Sequence, residues 1–454
     1  MLRRLALALT LLGGLVLGPA RAEEVSVAQA RTIGVSALQQ GRLDLAEEVA
    51  LGLLQRDGGD AFAHLLLARV RAAQARPKEA RRALRLAFRE ADKPMHKFQA
   101  AQMAARMAFE QDSLTVAQLW LRRSLAYAPS EAHESVVVRD YRILRVKNPL
   151  SLGFDFSVAP SSNVNNGAES SVSVIEGLPF VGQLSPSAQA LSGVVTTAEG
   201  RLSYRLAGSR QMRTDLSLKL GTRQVRLSDA ARAAAPTVTN SDLSSTTAEA
   251  GLSYLRKVGE GSVRAETSVA RSWQNGAARQ DVVTTALTYG RKLSETLTWQ
   301  GGLTRDWRIA RLNRFQDQQG WTARSTLGFD LPSGDQMALS VSYRATDSAD
   351  GNRRSDRWLA YASYQPEKPI GPADVTLRIG AASQSYDDYM VGLFAVPGGR
   401  QDETWFANVD MVFTEFDYGG FAPAVTLSAQ RTSSNVSHFT SKQMAITVGV
   451  RSAF

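Results

Sequence analysis

Few side chains in this 454-residue sequence are suited to acid–base or nucleophilic chemistry. There is no cysteine, which removes disulfides, thiolate metal sites and thiol nucleophiles together. Histidine occurs four times, at His64, His96, His133 and His438. A serine hydrolase needs a base beside its nucleophile, and in the C-terminal two-thirds only His438, near Ser434, Ser437 and Ser441, offers that pairing. A histidine in a polar loop reads first as a surface side chain. The motifs G-x-x-x-x-G-K-[ST], G-x-S-x-G and H-E-x-x-H are absent. The chain is therefore expected not to be an enzyme, with no catalytic residue, no cofactor and no metal.

Functional information then resides in patterning, most clearly at the C-terminus. Met444, Ile446, Val448, Val450 and Phe454 share one parity, and Gln443, Thr447, Gly449 and Arg451 share the other. This is a strand with one apolar face. An apolar-out, polar-in strand ending on an aromatic suits the closing strand of an outer-membrane β-barrel, whereas an edge strand of a soluble sheet has the same local pattern. The rest of the chain separates the two.

At the N-terminus, Arg3 and Arg4 precede an apolar run from Leu5 to Leu17, a Gly18-Pro19 break and Ala20-Arg21-Ala22. Residues 1–22 read as a cleaved secretory signal. Beyond them no run of about 18 apolar residues occurs, so a membrane-spanning form of this chain must be a barrel. The net charge of +10 is spread out: residues 23–147 carry 20 basic and 15 acidic side chains, and residues 148–454 carry 30 and 28. No basic arm or stripe favours nucleic acid as a partner.

Residues 23–147 have helical spacing and an internal repeat. Ala37 to Ala46, Arg71 to Ala80 and Met107 to Ala117 align; Ala46 and Ala80 lie 34 residues apart and Ala80 and Ala117 lie 37 apart. A period of 34 is that of the tetratricopeptide repeat. Gly41 takes the turn, and small Ala46, Ala80 and Ala117 let paired helices approach, giving about three repeats of an α-solenoid. Such surfaces usually receive an extended peptide or another protein. A cluster of cations in the second repeat, including Arg81, Arg82, Arg85 and Arg89, reads as a solvated face, open to an acidic partner or inner-leaflet lipid headgroups.

From residue 148 the composition shifts to Ser, Thr, Gly and aromatics with period two. Leu152, Phe154, Phe156 and Val158 alternate with polar neighbours, and comparable segments follow at 193–207, 211–225, 244–257, 261–274, 280–291, 295–309, 318–331, 336–347, 354–365, 373–387, 402–414, 421–433 and 441–454. With 151–160 these make 14 strands, an even number that returns both ends of an antiparallel transmembrane β-barrel to the same side. Short turns alternate with long connections, and tryptophans near strand ends suggest interfacial girdles. The opposite parity places Asp155, Glu199, Arg201, Lys219, Asp306, Arg344, Asp410 and Arg451 in a wet lumen, each read as part of a wall ion pair.

The first strand ends in Val158-Ala159-Pro160-Ser161-Ser162-Asn163-Val164-Asn165-Asn166. A signal sequence, a short tetratricopeptide domain and a 14-stranded barrel opening with this A-P-x-x-N-x-N segment resemble the surface lipoprotein assembly modifier (Slam) family. That resemblance implies an outer-membrane translocon displaying client proteins, surface lipoproteins or secreted haem- and iron-acquisition proteins, with periplasmic repeats receiving the client or its chaperone. Ala159, Pro160, Asn163 and Asn165 form a candidate barrel-mouth motif, in which Pro160 ends a ladder and the asparagines close side-chain turns. Leu152, Phe154, Phe156 and Val158 with Ile446, Val448, Val450 and Phe454 form a candidate lateral seam. Expected partners are the client, a periplasmic chaperone, membrane lipid and, through the C-terminal strand, the barrel assembly machinery. A polysaccharide exporter or passive channel with a periplasmic scaffold is the alternative.

Overall fold

The computed structural model describes residues 25–179, 181–416 and 421–452. The leader expected over residues 1–22 and the terminal Phe454 lie outside the described residues. The chain divides into two compact units at Val137/Val138.

The first unit is helical: α1 (Val27–Gln39), α2 (Leu43–Arg56), α3 (Ala61–Ala73), α4 (Pro77–Glu90), α5 (Pro94–Glu110) and α6 (Leu114–Leu125), with α7 (Glu131–Lys147) crossing the division. Helices pack in consecutive pairs, and Ala46, Ala80 and Ala117 are completely buried where the partners meet. The repeat also fixes each turn. Gly41, Ala75 and Asp112 stand five residues before those alanines and take left-handed φ values of 73°, 57° and 55°. The next residue's N–H then bonds back five positions, Arg42 to Ala37, Arg76 to Arg71 and Ser113 to Ala108, which caps the orphan carbonyls of the ending helix. Only the first turn uses glycine, the residue without a Cβ penalty there. Asp60 caps α3 at the Ala63 N–H and pairs with Arg31 at 2.9 Å. Burial pushes the Asp60 carboxyl up, but the Arg31 and Ala63 hydrogen bonds outweigh it and hold it below its ordinary value.

The second unit is a closed barrel of 14 antiparallel strands with two small hairpins in its connections. Its elements are β1 (Leu150–Ser161), a hairpin of β2 (Val172–Val174) and β3 (Val181–Gln183), β4 (Gly193–Gly208), β5 (Met212–Leu227), helices α8 (Asp229–Ala234) and α9 (Asn240–Leu243), β6 (Ser245–Val258), β7 (Gly261–Gln274), β8 (Ala277–Lys292), β9 (Leu297–Ala310), β10 (Gln318–Asp330), β11 (Gln336–Ser348), β12 (Ser355–Gln365), β13 (Asp374–Tyr386), a hairpin of β14 (Met390–Val391) and β15 (Phe394–Ala395), β16 (Arg400–Val412), β17 (Phe421–Ser434) and β18 (Ser441–Ser452). Each barrel strand pairs with its sequence neighbour, and β1 closes the ring on β18. The hairpins, α8 and α9 lie in connections where the alternation pattern carries no signal. β16 starts at Arg400, earlier than the expected 402, so two residues read as loop belong to the wall.

The alternation works as a membrane barrel requires. Leu152, Phe154 and Phe156 on β1 and Met444, Ile446 and Val448 on β18 are exposed on the outer face, where lipid replaces a protein core. Among the described residues, no helix is long and apolar enough to cross a membrane. The start of β1 and the end of β18 lie at the short-turn side. The opposite side carries the longest connections, β1–β4, β5–β6 and β13–β16, and there Asn275-Gly276 joins β7 to β8 with positive φ at both residues, the twist-matched two-residue hairpin turn.

Candidate functional site

The distinctive part of the barrel wall is where β1 meets β18. Register pairs run from Asp155↔Arg451 to Val158↔Val448, lapse at Ala159 and Pro160, and resume at Ser161↔Ala445. On its other edge β1 pairs with β4 without interruption through the same stretch. Pro160 has no N–H to donate and is tolerated only where a ladder is incomplete. At Gly449 the two backbones come so close that an added Cβ would lie 2.1 Å from the Phe156 carbonyl oxygen. Phe154 meets Phe421 edge to face at 6.4 Å between ring centroids, and Gln443 reaches the Ser161 hydroxyl and the Asn163 carbonyl at 3.5 Å. Of the expected seam residues, Phe156 faces Val450 and Val158 faces Val448 across this line, whereas Leu152, Phe154 and Ile446 lie on the same two strands outside the paired positions.

Inside the seam lies a cavity of about 750 Å³ lined by β1, β4, β5, β6, β17 and β18. Its charges divide at the seam. Asp155 and Arg451 are direct register partners, yet Asp155 pairs with Arg201 of β4, which also binds Glu199 at 2.6 Å, while Lys219 binds Glu199 at 3.0 Å. Arg451 turns the other way, to Asp410 of β16 at 3.1 Å. Each network stays on its own side, so parting β1 from β18 breaks neither. Elsewhere the wall is tied across strands: nearly buried Asp306 is gripped by both Arg344 nitrogens at 2.7 and 2.9 Å and by Arg308 at 2.9 Å.

The mouth motif is a set of side-chain clips. Asn163 is buried; its amide donates to the Gly167 carbonyl, and its oxygen accepts from the Gly167 N–H, both at 2.8 Å. Asn165 donates to the carbonyls of Ser187 and Gln189 at 3.1 and 2.8 Å and accepts from the Leu191 N–H at 2.8 Å. The two asparagines thus fold both ends of the 31-residue β1–β4 connection onto each other. Gly167 is indispensable to that approach, since a Cβ there would lie 2.2 Å from the Gln189 oxygen. Ala159 and Pro160 lie upstream in the β1 strand itself.

Two apolar clusters cover wall residues at this end. Val164 and Leu191 of the β1–β4 connection, with Ala231 and Ala235, bury Val225 and Leu227 of β5. Arg223 on the luminal parity of β5 donates to the Val164 and Leu243 carbonyls at 2.9 and 2.5 Å, pinning two connections to the wall. The second cluster joins Ile175, Tyr389, Val396 and Val436 from three connections. Its floor is Arg400, paired with Asp402 at 2.6 Å and stacked on Tyr386, Tyr389 and Phe439. Glu176 N–H bonds to the Asn435 carbonyl, and the Ser437 hydroxyl takes the Val174 N–H and donates to the Val172 carbonyl. His438 rests against Phe439; burial and then the Arg400 charge push its imidazole down. Ser434 and Ser437 are engaged with backbone groups, so the only pairing that resembled a nucleophile and base is part of the loop packing. Sequence reasoning missed Arg223, Arg400 and Asp402. The available signal was apolar Val225 and Leu227 on an otherwise polar parity.

In the helical unit, Ala46, Ala80 and Ala117 are fully buried, whereas Gly41, expected to share in the packing, is exposed in its turn with open space around it. Arg71 pairs with Glu47 of α2 at 2.5 Å, and Arg76 pairs with Glu79 at 2.8 Å. Among the described residues Arg81, Arg82 and Arg85 form no ion pair.

The sequence model of the family described as surface lipoprotein assembly modifier matches residues 153–454. No curated protein matches the chain. Among solved structures, the type III secretion translocator chaperone SycD of Yersinia enterocolitica is similar at 17% identity over 27% of this chain and 84% of its own, with a TM-score of 0.24. PcrH from Pseudomonas aeruginosa is similar at 23% identity over 27% of this chain and 92% of its own, TM-score 0.23. A loop-deletion mutant of OmpT, an outer membrane protein of Vibrio cholerae, is similar at 8% identity over 67% of this chain and 99% of its own, TM-score 0.36. Likenesses this loose carry no functional argument.

Proposed function

Because the chain belongs to the surface lipoprotein assembly modifier family, we propose that it carries client proteins across the outer membrane and displays them at the cell surface. Family membership across the barrel carries this reading. The clients are surface lipoproteins or secreted haem- and iron-acquisition proteins, received in the periplasm by the helical repeats, directly or from a chaperone. The C-terminal strand is the element by which the barrel assembly machinery would insert the chain. No catalytic residue and no cofactor takes part; folding of the client outside supplies the direction. The route is the wet cavity behind the seam, with β1 and β18 as the line that parts. Support for that route comes from the ladder gap at Ala159 and Pro160 and from charge networks that stop at the seam.

Deleting the chain and labelling a candidate client from outside intact cells tests this. Loss of surface label with unchanged total client supports it; unchanged label refutes it, and a simultaneous loss of surface glycan would favour a polysaccharide exporter.

A further inference from the structure

On the outer face of the barrel near the long connections, β7, β8 and β9 carry a cluster of charged side chains. Arg271 shares the parity of outward Val269, Asp281 is its direct partner on β8, and Ile309 is the partner of Asp281 on β9. Arg271 grips Asp281 with Nε and Nη2 at 2.7 and 2.9 Å. Arg311, two residues beyond Ile309, donates to the same carboxylate, and its own N–H bonds to the Arg279 carbonyl at 2.9 Å. Arg279 has a buried Nε with no partner. Below them Arg305 stacks on Trp307 and Trp321 at 5.3 and 4.8 Å and reaches up to Gln319 at 2.5 Å.

Two guanidiniums, of Arg271 and Arg311, share Asp281, with Arg279 and Arg305 beside them; even with the Asp242 carboxylate, whose charge Arg279 feels, positive charge is in excess. A guanidinium has five N–H donors. Arg271 spends two on Asp281 and Arg311 spends one, and both side chains remain over 40% exposed. Uncompensated cations facing lipid are costly at the bilayer centre and tolerable at headgroup level, where an anion can meet them. The stacked Trp307 and Trp321 mark that level, and long connections mark the external side.

We propose that this cluster is a binding site for the phosphate groups of a phosphorylated glycolipid in the outer leaflet. The inference rests on the outer-membrane barrel, not on client transport. Forked guanidiniums match phosphate oxygens bidentately, and the Trp-backed Arg305 lies where the glycolipid's acyl chains begin.

The test is native mass spectrometry of the full-length protein in mild detergent, titrated with a bis-phosphorylated acylated disaccharide, the same lipid dephosphorylated, phosphatidylglycerol and inorganic phosphate. Wild type should hold the bis-phosphorylated lipid at least about tenfold more tightly than the other three. Arg271→Gln with Arg311→Gln should lose about tenfold in affinity, while Asp281→Asn, which frees donors and removes a competing charge, should gain. Heat-modifiable migration checks that each variant is a closed barrel. Equal binding of the dephosphorylated lipid, of phosphatidylglycerol or of free phosphate would overturn the proposal, as would full retention in the double Gln variant or no gain in Asp281→Asn. No client enters the measurement, so its failure leaves the transport reading standing, and failed client display leaves the lipid result standing.

Discussion

Locking the seam is the sharpest test of the route. Val158 and Val448 are register partners across β1 and β18. Antiparallel partners have Cα atoms about 4.5–5.5 Å apart, within the roughly 4.4–6.8 Å a disulfide spans. With no native cysteine, Val158→Cys with Val448→Cys can form only one intramolecular bridge. From Asp155 to Ser161, β1 keeps seven register pairs with β4 and five with β18. At about 1 kcal/mol net per ladder bond, the seam edge is weaker by about 2 kcal/mol, a preference of about thirtyfold for parting there. Neither lumenal ion-pair network adds to the seam's strength. The assay is external labelling of client with the variant oxidised and then reduced. Oxidation should lower display about tenfold or more, and reduction should restore it. Leu427→Cys with Ile446→Cys, register partners joining β17 to β18, should have no effect. Full display with a demonstrably oxidised β1–β18 bridge would refute the reasoning and leave the intact lumen as the route.

Other substitutions probe the mouth and the repeats. Asn163→Ala strands a buried N–H and carbonyl at Gly167, at about 1–3 kcal/mol; with Asn165→Ala it should speed proteolysis within residues 162–192 and reduce display, and normal assembly with normal display would remove the motif from function. At His438 the folded imidazole is held below the ordinary 6.5, so its contribution to loop packing is present above that value and lost as pH falls through the folded one. The groups acting on it are Phe439 and Arg400, the latter paired with Asp402; proteolysis of the mouth loops should accelerate from pH 7.5 to 5.5, and His438→Gln should flatten the dependence. Ala75 holds a left-handed φ of 57°, so Ala75→Gly should raise the stability of the repeat unit by about 0.5–1 kcal/mol in urea unfolding, against the usual destabilising direction for glycine.

Much of this architecture is written in short-range pattern. Period-two alternation from Leu152 to Val450 located the barrel strands, because lipid on one face and water on the other impose a polarity that each residue must satisfy alone. The 34-residue spacing of Ala46 and Ala80 located the repeats, because each helix pair requires a small residue at its crossing. The asparagines after Pro160 were legible as turn formers, since their chemistry is local. Partner choice was not legible. Asp155 and Arg451 are adjacent across the seam and opposite in charge, and only the closed ring shows that each turns to its own side. Arg223, Arg400, Val225 and Leu227 gain their roles from connections returning over the wall, in Ile175's case to Val436, 261 residues away. Sequence alone thus determined which face each residue presents, a property of the backbone's own period. Tertiary structure decided which presented groups meet, since that depends on how 14 strands close and where their long connections come to rest.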